Sequence, residues 1–304
     1  MYRVIVVPLD GNAFSEAALP VAVKLASSSG ARLHLVHVLD VLRRPEYAKD
    51  MSPQDWWGGH AMEAANKYLA DVEVRVVRKA GVEATRSILS GSIDEAIVVE
   101  AEKVGADLIV MTTHGRAPVE RVWLGSTADR VARISPIPVL FVHGSEKGAD
   151  TPPPSFRRLL VTLDGSDVSE TVLPHATTFA RVNGAEMRLL YVAEPVRVPV
   201  TLLPMGADAT APFVEAVTRA EDAAANYLER IAKSLDYDRV TTEVVMADGS
   251  VAREILLVVE RRGMDAIALA AHGRGGFRRL LLGSVADKLL RASKVPVLLC
   301  RPPE

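Results

Sequence analysis

The chain has 304 residues, 49% of them hydrophobic, with 24% charged, a net charge of -2 and one cysteine, Cys300. A length of this order points to about two domains, and the near-neutral balance supplies no global basic field for nucleic acid or an anionic membrane. One cysteine excludes an internal disulfide and suits a reducing compartment. The apolar run near the start is too short for a signal segment, and no run reaches membrane-spanning length, so a cytoplasmic protein without a membrane span is expected.

In chain order, β-branched runs alternate with helical periodicity. The first half predicts strands at Val4–Leu9, Arg32–Val38, Glu83–Leu89, Asp107–Thr112 and Val139–Val142. Between them, helices are predicted at Phe14–Ser29, Ala61–Ala80, Ser92–Val104 and Ser126–Ile134. The segment 144–155, GSEKGADTPPPS, is polar and proline-rich and reads as an extended linker between domains 1–143 and 156–304. The second half predicts strands at Leu159–Leu163, Glu186–Val192, Val240–Met246, Ala266–Ala270 and Val297–Cys300. Continuously apolar strands alternating with helices indicate an α/β fold, with a mostly parallel sheet covered on both faces in each of two tandem open-sheet domains.

The halves align on one another. An offset of 154 pairs Leu9-Asp10-Gly11 with Leu163-Asp164-Gly165 and Leu19-Pro20 with Leu173-Pro174. Further on the offset is 158, pairing Gly91-Ser92 with Gly249-Ser250 and Pro138-Val139-Leu140 with Pro296-Val297-Leu298. The register slips where 41–60 faces 195–214. A period this long indicates duplication of a whole domain rather than a short solenoid repeat.

The same alignment brings THGRAPVERVWLGS, residues 113–126, onto AHGRGGFRRLLLGS, residues 271–284. Each copy follows an apolar strand and holds His-Gly-Arg, then Gly-Ser ten residues after its first glycine. A strand, a glycine-containing loop and a helix start form a phosphate cradle, because the first backbone N–H groups of a helix have no intrahelical partner.

Each half thereby resembles the universal stress protein family, and the whole chain resembles a tandem member of its ATP-binding kind. The family's nucleotide signature is glycine, two residues, glycine, nine residues, then Gly-Ser or Gly-Thr. Gly115 with Gly125-Ser126, and Gly273 with Gly283-Ser284, keep that spacing, while Thr112 and Ala270 stand at the first glycine. The resemblance implies five strands ordered 3-2-1-4-5 and one ATP site per domain, with a divalent cation such as Mg2+ able to accompany the nucleotide. It also implies adenosine over the strand ends and phosphates on the loop and helix start. By alignment it assigns adenosine contacts to Pro8, Asp10 and Val38, and to Thr162, Asp164 and Val192. Phosphate-side contacts fall on Thr112, His114, Gly115, Arg116, Gly125, Ser126 and Thr127, and on Ala270, His272, Gly273, Arg274, Gly283, Ser284 and Val285.

Several of these residues carry a plainer reading as well. Ser126 and Ser284 also suit simple helix caps. Asp10 and Asp164 also suit Asx turns. Thr112, being β-branched, disfavours positive φ and narrows the site. His114 and His272 invite a catalytic role, but no nucleophile–base spacing accompanies them, and loop histidines that bond backbone or line the phosphate site are the simpler expectation. His34 and His37 lie three apart on one strand and so point to opposite faces, which excludes a shared metal site. No HExxH, CxxC cluster, Walker lysine or GxSxG is present, so no dedicated metal cage and at most slow ATP hydrolysis are expected.

Trp56-Trp57 reads as part of a lid or as a partner anchor. The last strands, Pro138–Val142 and Pro296–Cys300, are apolar and need cover at a sheet edge. The resemblance implies that they cover each other as an intramolecular pseudo-dimer; a further homodimer is left open. The second loop is more basic and more flexible than the first, with Gly276 opposite Pro118, so the second half is expected to hold ATP at least as tightly. Three functions remain in view: a nucleotide-dependent stress regulator, a weak ATP-hydrolysing enzyme, and a nucleotide-free interaction or chaperone-like protein.

Overall fold

The computed structural model describes residues 1–39, 56–113, 124–194, 211–272 and 282–302. The first half contributes β1 (Val4–Pro8), β2 (Arg32–Leu39), β3 (Ala84–Ser90), β4 (Leu108–Thr112) and β5 (Val139–Val142). The second contributes β6 (Arg158–Leu163), β7 (Glu186–Ala193), β8 (Val240–Met246), β9 (Ala266–Ala270) and β10 (Val297–Cys300). Each half has the order 3-2-1-4-5, as expected, and the two are continuous in one ten-stranded sheet, β3-β2-β1-β4-β5-β10-β9-β6-β7-β8. Pairing is parallel within each half. The junction is antiparallel, with Val139 opposite Leu299, Leu140 opposite Leu298 and Phe141 opposite Val297.

β4 and β9 are buried at every residue. Runs such as LIVMT and AIALA place apolar side chains on both faces, and both faces are covered. One core holds Leu25, Leu35, Leu69, Leu140, Phe179, Leu189 and Leu298; the other holds Ile97, Ile109, Val131, Phe141, Ile255, Leu289 and Leu299. Each core draws on both halves. Burying a leucine or phenylalanine in this way contributes about 1.5–3 kcal/mol.

The helix expected over Phe14–Ser29 is instead two, Ala13–Glu16 and Ala18–Ser29. Pro20 has no N–H to donate to the carbonyl of Glu16, so it is accommodated in the first turn of a new helix. Pro174 does the same in the second half, where a turn at Asp167–Glu170 precedes the helix Leu173–Asn183. The helix expected over Ala61–Ala80 is regular only across Met62–Val72 and then continues as wider and tighter turns to Ala80.

In the segment after β5, residues 148–150 form one tight turn, with Gly148 at φ 52. A Cβ there would lie 3.2 Å from the Ala13 carbonyl oxygen, a closeness that glycine permits. Lys24 Nζ donates to the carbonyls of Pro154 and Ser155 at 2.6 and 2.9 Å. Phe156 follows, fully buried edge-on against Phe179, with ring centroids 5.0 Å apart.

Candidate functional site

In an open α/β sheet, ligands sit where neighbouring connections leave in opposite directions, beyond the carboxyl ends of the strands. Here that crevice lies between β1 and β4 in the first half and between β6 and β9 in the second, since β1 pairs with both β2 and β4, and β6 with both β7 and β9. Two segments of sequence arrive at each crevice: the Leu-Asp-Gly turn after β1 or β6, and the Gly-Ser helix start that follows β4 or β9.

Both Leu-Asp-Gly segments are built alike. Asp10 Oδ1 accepts from the Asn12 N–H at 3.1 Å, and the Asp10 N–H donates to Ser15 Oγ at 3.2 Å. Asp164 Oδ1 accepts from the Ser166 N–H at 3.0 Å and the Ser166 hydroxyl at 2.6 Å, while the Asp164 N–H donates to Ser169 Oγ at 3.3 Å. Gly11 and Gly165 have φ of 85° and 82°, the left-handed region in which glycine costs least. The Asx turn anticipated for these aspartates is therefore present. It fixes the carboxylate's direction. The second turn is the more braced: Ser166 caps the following helix by accepting from the Ser169 N–H, whereas Asn12 makes no such side-chain bond.

Behind the first turn, His37 Nδ1 bonds the Leu9 carbonyl at 2.9 Å and its ring meets Tyr68 edge-on. Burial pushes the His37 pKa below the ordinary histidine value, against the opposing pull of the Leu9 carbonyl and Asp10. His34 faces the other way, toward Glu100, so the two histidines do occupy opposite faces. In the second half Tyr191 and Tyr227 replace the His37–Tyr68 pair with the same edge-on geometry.

The helix starts are also alike. The Gly125 N–H donates to the Thr113 carbonyl and the Gly283 N–H to the Ala271 carbonyl, both at 2.8 Å. These bonds tie the returning chain to the first residue beyond β4 and β9. Gly283 sits in a tight space: an added Cβ would lie 3.0 Å from the Ala271 oxygen. The helices Ser126–Ile134 and Ser284–Ala292 follow at once. Their caps are Gly125 and Gly283, so Ser126 and Ser284 are not the cap residues anticipated as the plainer alternative; they occupy the first helical position, exposed. The first intrahelical bonds reach back from Asp129 to Gly125 and from Asp287 to Gly283. The N–H groups of Ser126, Thr127 and Ala128, and of Ser284, Val285 and Ala286, precede those bonds and have no carbonyl within the helix to meet. Such a terminus attracts anions.

Thr112 ends β4 opposite Val142, and Ala270 ends β9 opposite Cys300. Both are extended and buried, so neither needs the positive φ that the family glycine permits. The β-branch of Thr112 suits a strand. Pro8, Thr162, Val38 and Val192 are half-buried at or near the carboxyl ends of β1, β6, β2 and β7. His272 is half-buried with a pKa lowered first by burial and then by the charge of Arg301, which keeps the ring neutral near pH 7. His114, Gly115, Arg116, Gly273 and Arg274 lie outside the described residues, as do the basic residues expected to favour the second loop. The Trp56-Trp57 side chains lie outside them too. Among the described residues no group of three metal-ligating side chains is found, and no helix is long and apolar enough to cross a membrane.

One set of residues near the helix starts escaped the sequence reading. Asp129 and Arg133 repeat as Asp287 and Arg291 at the same offset as the loops, four residues apart, the spacing of an ion pair on one helix face. Only the sheet order reveals that the two pairs meet.

The fold and its paired helix starts define a duplicated α/β protein with two equivalent crevices. The universal stress protein family model matches residues 1–143 and 155–301. The chain belongs to the universal stress protein family. A universal stress protein of Mycobacterium tuberculosis is 30% identical over 305 aligned positions, covering 98% of this chain and 96% of its own. A universal stress protein structure from Archaeoglobus fulgidus superimposes with a TM-score of 0.68 at 20% identity, covering 98% of both chains. A universal stress protein solved in complex with cAMP matches 47% of this chain and 98% of its own, at 25% identity and a TM-score of 0.36.

Proposed function

We propose that this chain is a nucleotide-dependent stress regulator that binds one ATP in each half. The observation that carries this reading is the repeated Gly-Ser helix start beyond β4 and β9, whose first N–H groups have no partner within the helix, together with the repeated Asx turn at the ends of β1 and β6. Ser126 and Thr127, and Ser284 and Val285, would hold the phosphates through backbone N–H groups, with the two serines adding a hydroxyl. Asp10 and Asp164 would accept from ribose hydroxyls or the adenine amine, and the backbone at Val38 and Val192 would meet adenine. Gly115, Arg116, Gly273 and Arg274 complete the phosphate loops by alignment with the family signature. A divalent cation would arrive with the nucleotide.

Among the described residues no nucleophile–base pair lies at these crevices, and in this reading binding itself is the event that partners read. The antiparallel join of β5 to β10 supports the view that the halves stand to each other as the paired domains of a dimer do. The bracing of Asp164 by Ser166 agrees with the second half holding ATP at least as tightly as the first. The test is to denature the purified full chain and identify released nucleotide by ultraviolet absorbance and mass. ATP is expected; no nucleotide, even after incubation with excess ATP, would refute the reading and favour a nucleotide-free interaction protein.

A further inference from the structure

The two helices that begin at Ser126 and Ser284 each carry an aspartate one turn in, which is the wrong charge for a phosphate site. Asp129 and Asp287 lie on the helices whose first N–H groups would meet phosphate, and an unpaired carboxylate so near would repel it. Both aspartates are neutralised, and the neutralisation crosses between the halves. Arg133 holds Asp129 in a two-point contact, Nε to Oδ2 at 2.8 Å and Nη2 to Oδ1 at 2.9 Å. Arg291 holds Asp287, with Nε 3.0 Å from each oxygen, and its Nη2 also lies 3.7 Å from Asp129 Oδ1. Arg133 in return feels the charge of Asp287. The arrangement exists because β5 and β10 are neighbours and the two helices pack on the same core beneath them.

We infer that the four-charge cluster Asp129–Arg133–Asp287–Arg291 couples the two anion-binding helix starts, with Arg291 of the second half completing the electrostatic environment of the first half's site. Arg291 acts through its own partner Asp287 and, at longer range, through Asp129, and is a positioning residue in this sense; it does not touch the nucleotide. The cluster is half-buried, its side chains retaining 25–32% exposure, so the charges are only partly screened by solvent. With the cluster intact its two positive and two negative charges cancel. Loss of Arg291 leaves Asp287 without its partner and removes one of the positive charges acting on Asp129, so the cluster gains one net negative charge.

This inference rests on the proposed nucleotide sites, and its test separates the two. The full chain carrying Asp164→Ala retains the first half's site and is titrated with ATP at low salt. Adding Arg291→Met should weaken binding about five- to tenfold, from the one charge left uncompensated in the cluster. Adding Asp129→Asn to that variant should restore the affinity, and Arg291→Lys should preserve it. Raising the salt should shrink the loss. A merely structural role for Arg291 would produce neither recovery with Asp129→Asn nor salt dependence. ATP binding that is unchanged by Arg291→Met, or a loss that Asp129→Asn does not recover, would overturn the inference while leaving the nucleotide reading intact. Failure of the unsubstituted chain to bind ATP would overturn both.

Discussion

At the scale of single residues, the most exacting positions are those where a side-chain atom or its absence is fixed by neighbours. Gly283 is one: its carbon would press on the Ala271 carbonyl at 3.0 Å. Gly283→Val should destabilise the chain by about 1–3 kcal/mol in urea unfolding, the range for overpacked sites, and should abolish the second half's nucleotide binding. A fully stable variant with unchanged binding would contradict the close approach. His34 is another. Its Nδ1 lies 2.7 Å from Thr85 Oγ1 and its Nε2 3.2 Å from Glu100 Oε1, and Ser87 and Lys103 also bond Glu100. Burial lowers the His34 pKa, against the opposing pull of Glu100. Burial alone would raise the Glu100 pKa, but the hydrogen bonds from Ser87 and Lys103, the Lys103 charge and the bond to His34 together hold it low.

The linkage follows from those directions. A histidine whose folded pKa is depressed takes up its proton more readily when unfolded, so its stability contribution is intact above about pH 6.5 and fades as the pH falls below that. His37 shifts the same way for the same first cause. The urea midpoint should therefore fall as the pH drops from 7.5 toward 5.5, and His34→Gln should flatten that fall without removing it. A midpoint independent of pH in this window, or a slope untouched by His34→Gln, would contradict a buried neutral imidazole.

At the scale of elements, much of the architecture was legible because it depends on local composition. β5, β8, β9 and β10 coincide with the ranges expected from their β-branched and aliphatic runs, and the other strands shift by only a residue or so at an end. The helix break near Ala17 was less legible. An amphipathic pattern runs straight through it, and only the missing N–H of Pro20 divides it. That the two last strands could cover each other was implied by the family resemblance, but the direction and register of their pairing were not, since apolar runs on both strands would accept neighbouring registers equally well. That register now makes a prediction. Leu140 and Leu298 face each other and are fully buried. Each changed to alanine should cost about 2–5 kcal/mol. The double variant should deviate from additivity by at least about 0.5 kcal/mol in a denaturation cycle, as residues in contact do. Simple additivity would count against the join.

At the scale of the whole molecule, duplication gives two crevices on one continuous sheet, with cores shared across the halves. The Gly-Ser helix starts were legible from their spacing, and the Asx turn was one of two readings that the sequence allowed for Asp10 and Asp164. The bond from Gly283 to Ala271 and the bracing of Asp164 by Ser166 could not, because each depends on how the backbone turns rather than on which residues are present. The charge cluster at Asp129 and Arg291 was hidden for a different reason: 162 positions separate the two residues, and the sheet order alone brings them together. Two unequal halves on a common frame should bind nucleotide with two affinities. The most direct measurement is calorimetric titration of the full chain with ATP, repeated with Asp10→Ala and with Asp164→Ala. Two saturable sites are expected in the unsubstituted chain, the tighter lost with Asp164→Ala and the weaker with Asp10→Ala. No binding at all, or two sites that survive both substitutions together in a folded chain, would contradict nucleotide binding at these crevices.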